Sequence, residues 1–327
     1  MIDPIERARR VADEVLFPAA LNVDESGVLP ASHLDLLARE GFYGLAGPDG
    51  VADAATAARV VEVLAGGCLA TAFVWTQHHG AVRALADGAP PDLVEEWLAP
   101  LCRGERRAGI ALAALRPGPP SVRVTAVPGG YQFDGVARWV TGWGMIDVLY
   151  AAARDERDTI LWALVDAVPG PSLAVRPVPL AAVDASATVE VRFTNHFVPA
   201  ERVTGTLPYP EWSARDAAGL RMNGSFALGV AGRCLALLGP GPLDGELAAC
   251  RTALDAATPE TLPTARAAAS ELAMRAATTL VATRGARSVR RDDHGQRLLR
   301  EAMFVLVFGS RPTIKAALLP MIKASLT

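Results

Sequence analysis

At 327 residues, 51% of them hydrophobic, and with a mean hydropathy of +0.24, the chain can bury a large core as one compact unit of two or three subdomains. A formal net charge of −3 gives no electrostatic footprint for nucleic acid or an anionic membrane. Cys68, Cys102, Cys234 and Cys250 stand far apart beside apolar runs, which excludes a metal-type spacing and reads as buried thiols in a reducing compartment. The charged N-terminus MIDPIERARR lacks the apolar core of a signal peptide. Residues 63–82 are uncharged but contain Gln77, His78, His79 and three glycines, so they read as a buried helix rather than a membrane span. A cytoplasmic protein is expected.

Residues 1–106 form an expected N-terminal helical domain. Ile5, Ala8, Val11, Ala12 and Val15 mark one face of a first helix, closed by Pro18. Leu34, Leu37 and Ala38 mark a second, stopped at Gly41. A third runs from about Ala52 through Val60, Val63 and Leu64 to Gly66-Gly67. Residues 71–85 form a fourth and 91–98 a short fifth.

From Arg107 the apolar period shifts toward two, and a central β-barrel or sandwich domain is expected over 107–205. Its candidate strands are 108–115, 122–127, 131–133, 137–141, 148–154, 159–165 and 188–194. Residues 213–327 return to helix as a C-terminal bundle. There Phe226, Val230, Cys234, Leu237 and Leu238 hold helical spacing, and Gly224, Gly229 and Gly232 allow close approach of a neighbour. Pro240 and Pro242 stop that helix. The next carries Leu243, Leu247 and Leu254, with Asp244 as a plausible N-cap. A long alanine-rich helix over 264–290 places its arginines outward. Helices over 298–308 and 313–323 are separated by Gly309, and the last carries Ile314 and Leu318 one turn apart.

Chemistry shows most plainly in YQFDGVARWVTGWGMID, residues 131–147. Val127-Pro-Gly-Gly-Tyr131 reads as a tight turn between strands. Beyond it Tyr131, Phe133, Trp139 and Thr141 fall at even spacing, so they can share a face. An aromatic plane two residues from a hydroxyl can flank a planar ligand and hydrogen-bond its edge. The same pattern also fits a Trp packed in a β-core with its N–H satisfied.

Trp139-Val-Thr141 resembles the Trp-Ile-Thr element of the acyl-CoA dehydrogenase family, in which the Trp lies against the flavin and the Thr bonds its edge. The resemblance extends to Asp24-Glu-Ser-Gly27 with Pro30, Glu40-Gly-Phe-Tyr-Gly-Leu45, Arg103-Gly-Glu105 and Phe193-Thr-Asn-His-Phe-Val-Pro-Ala-Glu-Arg-Val203. It covers residues 6–203 and weakens beyond. It implies the α+β architecture of that family: an α-helical N-terminal part, a central β part and a C-terminal bundle making homodimers or homotetramers. It also implies FAD as cofactor and an acyl thioester, bound to CoA or a carrier protein, or a related carbonyl compound, as substrate. Trp139, Thr141, Leu115 and Ser121 are then the cofactor residues. Thr71, Trp75, His78, Phe308 and Gly309 are the substrate-pocket residues, since residues 71–79 fall in the family's pocket-lining helix. Thr71, Trp75 and His78 lie one turn apart, and His78 is a weak candidate proton carrier. A buried helix with each His satisfied by a backbone carbonyl is the competing reading.

Departures from the family pattern are concrete. LAALRPGPPSV (112–122) replaces the usual aliphatic-Thr-Glu-Pro and Gly-Ser-Asp segments, with Leu115 at the Thr position and Pro120 lacking an N–H. Ser121 can still meet a phosphate, and Arg116 can pair with one or lie in solvent. Phe308 stands where the resemblance places the catalytic Glu, no carboxylate lies in 220–226, and Asp216 falls too early. Leu238-Gly-Pro-Gly-Pro-Leu-Asp-Gly245 replaces the partner-facing Arg-x-x-Phe-Gly segment, and the bundle is short. Gly309-Ser310-Arg311 with Thr313 reads as a helix-to-helix cap or an anion site. These departures keep open a fold that has lost FAD and serves as a binding or assembly subunit or a non-redox catalyst, and a flavin monooxygenase or oxidase.

Overall fold

The computed structural model describes residues 3–48, 50, 53–215 and 219–324. Helix α1 (Pro4–Val11) starts where the Asp3 side chain accepts from the Ile5 amide at 3.1 Å. Pro18 does not close this helix. A π-turn over Ala12–Leu16, with the Phe17 amide donating to Ala12 O, carries the chain into α2 (Phe17–Ser26), where Pro18 sits in the first turn. A proline there lacks only an N–H, and the widened turn absorbs the missing bond. Val15 is left exposed, and Gly27 at φ 65° ends α2.

Next come α3 (Ala31–Arg39), α4 (Ala54–Gly67), α5 (Leu69–Gln77), α6 (His79–Ala86) and α7 (Pro91–Cys102). The single helix expected over 71–85 is thus two, broken at His78. Ala52, the expected start of the third helix, lies outside the described residues; Asp53 caps α4 by accepting from the Thr56 amide at 2.7 Å.

The described β residues form one eight-stranded sheet: β1 (Ala108–Ala111), β2 (Val122–Val127), β3 (Gly130–Val140), β4 (Val148–Arg154), β5 (Thr159–Asp166), β6 (Leu173–Pro177), β7 (Val189–Pro199) and β8 (Val203–Pro208). Their order is β6-β7-β3-β2-β4-β5-β8, with β1 parallel to β4 and the remaining pairs antiparallel except for one parallel bridge, Arg123 to Arg154. The strand expected over 108–115 stops at Ala111 and turns into a 3₁₀ segment, Ala113–Leu115. Strands 131–133 and 137–141 are one bulged strand, β6 is a strand beyond those expected, and β8 carries the sheet to Pro208, past the expected boundary at 205.

Helices α8 (Tyr209–Arg215), α9 (Gly219–Leu238), α10 (Leu243–Asp255), α11 (Leu262–Arg284), α12 (His294–Val307) and α13 (Pro312–Ala324) complete the chain. Pro242 rather than Asp244 occupies the N-cap of α10; Asp244 reaches back to the Gly241 amide at 2.8 Å. Arg266, expected on the outside of α11, is 1% exposed.

One large core joins the N-terminal and C-terminal helices, and a second fills the sheet interior around Phe133, Val140, Leu149 and Val191. The two helical parts meet where α4 crosses α9. A Cβ at Gly229 would stand 2.3 Å from the Glu62 carbonyl oxygen and 2.8 Å from Ala65 Cβ, so the helices touch backbone to backbone. Arg233 of α9 donates to Gly66 O at 2.7 Å, and Arg251 of α10 bonds Glu62 from the other side. Among the described residues no helix is long and apolar enough to cross a membrane. Gly229→Ala is expected to destabilise the protein by about 1–3 kcal/mol through overpacking, read as a lowered denaturant midpoint. An unchanged midpoint would mean that α4 and α9 do not meet at this distance.

Candidate active site

Trp139 lies in a bulge of β3. Ala137 pairs with Val191 and Val140 with Val189, so Arg138 and Trp139 together oppose Glu190. The bulge sets Trp139 at φ 64° and leaves it 56% exposed. Thr141, just beyond the strand, is 2% exposed. The face expected to be shared by Trp139 and Thr141 is therefore broken: one extra residue turns the indole outward and the hydroxyl inward. Thr141 Oγ1 lies 3.4 Å from Thr188 Oγ1, which lies 2.9 Å from Ser186 Oγ, a buried row of three hydroxyls.

Strain concentrates here. Five described non-glycine residues have positive φ; Asp158 and Asn195 are types that tolerate it, whereas Trp139, Val183 and Ala187 are not. The latter three flank Thr141. The Gly142 amide donates to Ser186 O at 2.8 Å and the Trp143 amide to Ala187 O at 3.2 Å, stitching the two strained segments together. Such backbone costs on the order of 1–3 kcal/mol per residue and gathers at functional sites.

Leu115 does not face this region. Its side chain packs with Ala152, Ile160 and Trp162. Ser121 is exposed, and its carbonyl accepts from the Val136 amide at 2.8 Å. The intervening loop is tied down by buried Arg154, which bonds Gly118 O, pairs with Asp158 at 2.8 Å and stacks 4.1 Å from the Tyr209 ring. Arg116 is exposed beside this loop, and partial burial, joined by the Arg116 charge, lowers the Arg311 pKa.

The α5 residues are core. Thr71 Oγ1 meets His33 Nδ1 at 3.3 Å. Trp75 is wedged edge-on between Phe42 and His79, at 6.3 and 4.7 Å. His78 is excluded as a proton carrier: Nδ1 accepts from the Ala108 amide and Nε2 donates to Leu101 O, both at 3.1 Å. Burial and the neighbouring His79 hold its imidazole well below the usual pKa. His78 thus clamps the α5–α6 break to β1 and α7.

Phe308 and Gly309 sit where α12 ends. Gly309 adopts φ 61°, and Arg266 Nη2 donates to Val305 O at 2.9 Å and Phe308 O at 3.3 Å. The Phe308 ring meets Phe73 of α5, Phe226 of α9 and Phe304 of α12 at centroid distances of 4.9, 5.7 and 5.2 Å. Asn223 of α9 lies directly over Gly309, its Nδ2 2.6 Å from where a Cβ would stand. A search for acids across 220–226 passes over this amide, and an alanine-rich helix gives no contrast by which to place Arg266 inward. Asp216 lies outside the described residues. Cavities of about 520 and 470 Å³, one lined by Leu29, Arg107 and Met145 and the other by Arg7, Leu98 and Cys102, are separate from Trp139 and Phe308.

Residues 4–105 match the family model "Acyl-CoA dehydrogenase, N-terminal domain". Benzylmalonyl-CoA dehydrogenase of Aromatoleum aromaticum is 29% identical over 201 residues, 58% of this chain and 53% of that protein, so the chain spans about half the length of the curated relative it matches. Among solved structures, butyryl-CoA dehydrogenase from Megasphaera elsdenii superposes with a TM-score of 0.83 at 18% identity, covering 99% of this chain and 97% of the other. PigA with FAD and proline gives 0.82 at 19% identity over 99% and 97%. A glutaryl-coenzyme A dehydrogenase–glutaryl-CoA complex gives 0.82 at 16% over 99% and 95%. The fold is the acyl-CoA dehydrogenase fold, as the motifs imply.

His79 gives a pH signature. Its ring nitrogens are buried without partners among the described residues, and burial, then Arg83, lowers its pKa to about 3. A folded pKa below the unfolded value of 6.5 means that the unfolded chain takes the proton first as pH falls. This contribution is therefore fully present above about pH 6.5 and is lost progressively toward pH 3, at up to about 1.4 kcal/mol per pH unit. Between pH 7.5 and 5.5, His79→Leu should lose about 1 kcal/mol less stability than the parent in denaturant titrations. Equal losses would show that His79 is not held neutral.

Proposed function

We propose that this chain is a flavin-dependent oxidoreductase of the acyl-CoA dehydrogenase type, acting on an acyl thioester carried by CoA or a carrier protein. Trp139 carries the reading. A large indole held outward at a strained bulge costs backbone energy and leaves apolar surface in water, and a planar ligand stacked on it accounts for both.

The residues suit FAD unevenly. Trp139 offers a plane for the isoalloxazine, and exposed Ser121 and Arg116 offer a hydroxyl and a charge for its phosphates. Leu115 offers only backbone, since its side chain is in the core. When bound, FAD supplies the two-electron acceptor for the thioester's acyl group. The protein's part is to orient both partners and exclude water between the sheet and the C-terminal helices. FAD in PigA and glutaryl-CoA in its dehydrogenase support the assignment by likeness of fold. Exposed Met303 and Val307 on α12 and Leu319 on α13 suit assembly as a homodimer or homotetramer through the bundle.

A second reading, in which the fold has lost FAD and serves as a binding or assembly subunit, is favoured by Thr141: its hydroxyl is sealed against Thr188 rather than presented to a ring edge. Incubation with FAD followed by removal of free flavin separates the two. The first reading expects a retained flavin absorption band, and affinity about tenfold weaker in Trp139→Ala. A protein that stays colourless would support the second.

A further inference from the structure

Helices α5 and α9 and the end of α12 converge beside the α12–α13 turn, and none of the segments that meet there brings an acid. Residues 69–77, 219–238 and 302–324 contain no Asp or Glu. What they bring to the turn is four phenyl rings and the Asn223 amide, since Gln77 spends its amide on Phe73 O. Phe73 and Phe226 are buried and meet edge to face at 6.1 Å; Phe304 and Phe308 are partly exposed and stack at 5.2 Å with planes 15° apart. The Asn223 side chain, partly exposed over Gly309, makes no hydrogen bond to any described residue. Its amide is thus poised beside an aromatic wall with its donors and acceptor unspent.

The charges facing this place are accounted for. Arg221 pairs with Asp255. Arg266 spends Nη2 on the carbonyls that end α12 and Nη1 on Ser270, so its charge is offset by the C-terminal pole of that helix. Arg311, past the turn, is exposed. A cationic ligand would face arginines only, and an anionic one would be desolvated against the rings while Arg221 and Arg266 are already committed to Asp255 and to the end of α12.

We infer that Phe304, Phe308 and Asn223 form the acyl-recognition face of the proposed site, and that it takes a neutral acyl group with a flat, aromatic apolar part. The ring of the ligand extends the Phe304–Phe308 stack while the Asn223 amide hydrogen-bonds its thioester carbonyl. An amide cannot take a proton at this pH range, so Asn223 orients the acyl group and does not act as a base. This deepens the thioester reading and rests on it.

Two small thioesters test the assignment on the full chain, with and without FAD: S-benzoyl-N-acetylcysteamine, which is neutral and aromatic, and S-succinyl-N-acetylcysteamine, which ends in a carboxylate. Calorimetry should give the benzoyl compound at least about tenfold tighter binding than the succinyl one. Asn223→Leu should weaken benzoyl binding about tenfold, with a circular dichroism spectrum like that of the parent. Equal or tighter binding of the succinyl probe, no binding of either, or unchanged benzoyl affinity in Asn223→Leu would overturn the assignment. The parent comparison decides even if a variant fails to fold. Flavin uptake is scored separately by absorbance: a colourless protein that binds the benzoyl probe sinks the flavin reading alone, and a yellow one that prefers the succinyl probe sinks this one alone.

Discussion

The backbone contact between α4 and α9 governs the geometry of the C-terminal half. With Gly66 and Gly229 at the crossing, no side chain separates the helices, and the Gly229 Cα lies against the Glu62 carbonyl. Dispersion at so short a separation is strong but unforgiving, since a methyl group inserted there must push two helices apart. Polar bonds then fix rotation about the contact: Arg233 reaches Gly66 O and Asp13, and Glu62 lies between Arg59 and Arg251. Because Asn223 and Phe226 lie on the same α9, the crossing also decides where the amide and ring stand against Phe308. A tilt of about 5° at Gly229 would move Asn223 by about 1 Å, enough to change its distance to Gly309.

The β side is held differently. Trp139, Val183 and Ala187 each occupy left-handed backbone that their side chains disfavour, and none could persist alone. They persist because the two segments restrain each other through the Gly142 and Trp143 amides and the Thr141–Thr188–Ser186 hydroxyl row. A buried row of this kind is stable only when each hydroxyl has a partner, so loss of one member weakens its neighbours as well. The outward indole therefore depends on polar atoms that are themselves far from solvent.

Much of this architecture can be read in the sequence because it depends on local periodicity. The change from helical to alternating apolar spacing at Arg107, and back after the sheet, follows from which faces must be buried. Ile314 and Leu318, one turn apart, do lie in the core. Local spacing fails where a single residue changes the register. A two-residue pattern puts Trp139 and Thr141 on one face, and one bulge residue puts them on opposite sides. Pro18 reads as a stop until a π-turn accommodates it. His78 at helical spacing from Thr71 and Trp75 suggests a stripe along a pocket, but those residues face three different neighbours in the core. Asn223 and Arg266 are invisible for another reason: their partners, Gly309 and the end of α12, lie 86 and about 40 residues away, and nothing in either segment announces the meeting.

Phe308 links stability to chemistry. A carboxylate packed against Phe73, Phe226 and Phe304 would be desolvated, with its pKa driven upward, and it would weaken the end of α12 by placing negative charge beside carbonyls already at the negative pole. A phenyl ring in the same place adds edge and stacking contacts and lets Arg266 hold the turn without a competing acid. The helical half of the site is thus relaxed, whereas the sheet half keeps its strain at Trp139. Packing covers less than half of that indole, so little of its apolar surface is stabilised by the interior. The bonds around Thr141 hold that strain in place from within, and the open face of Trp139 is left available for a planar group to stack on.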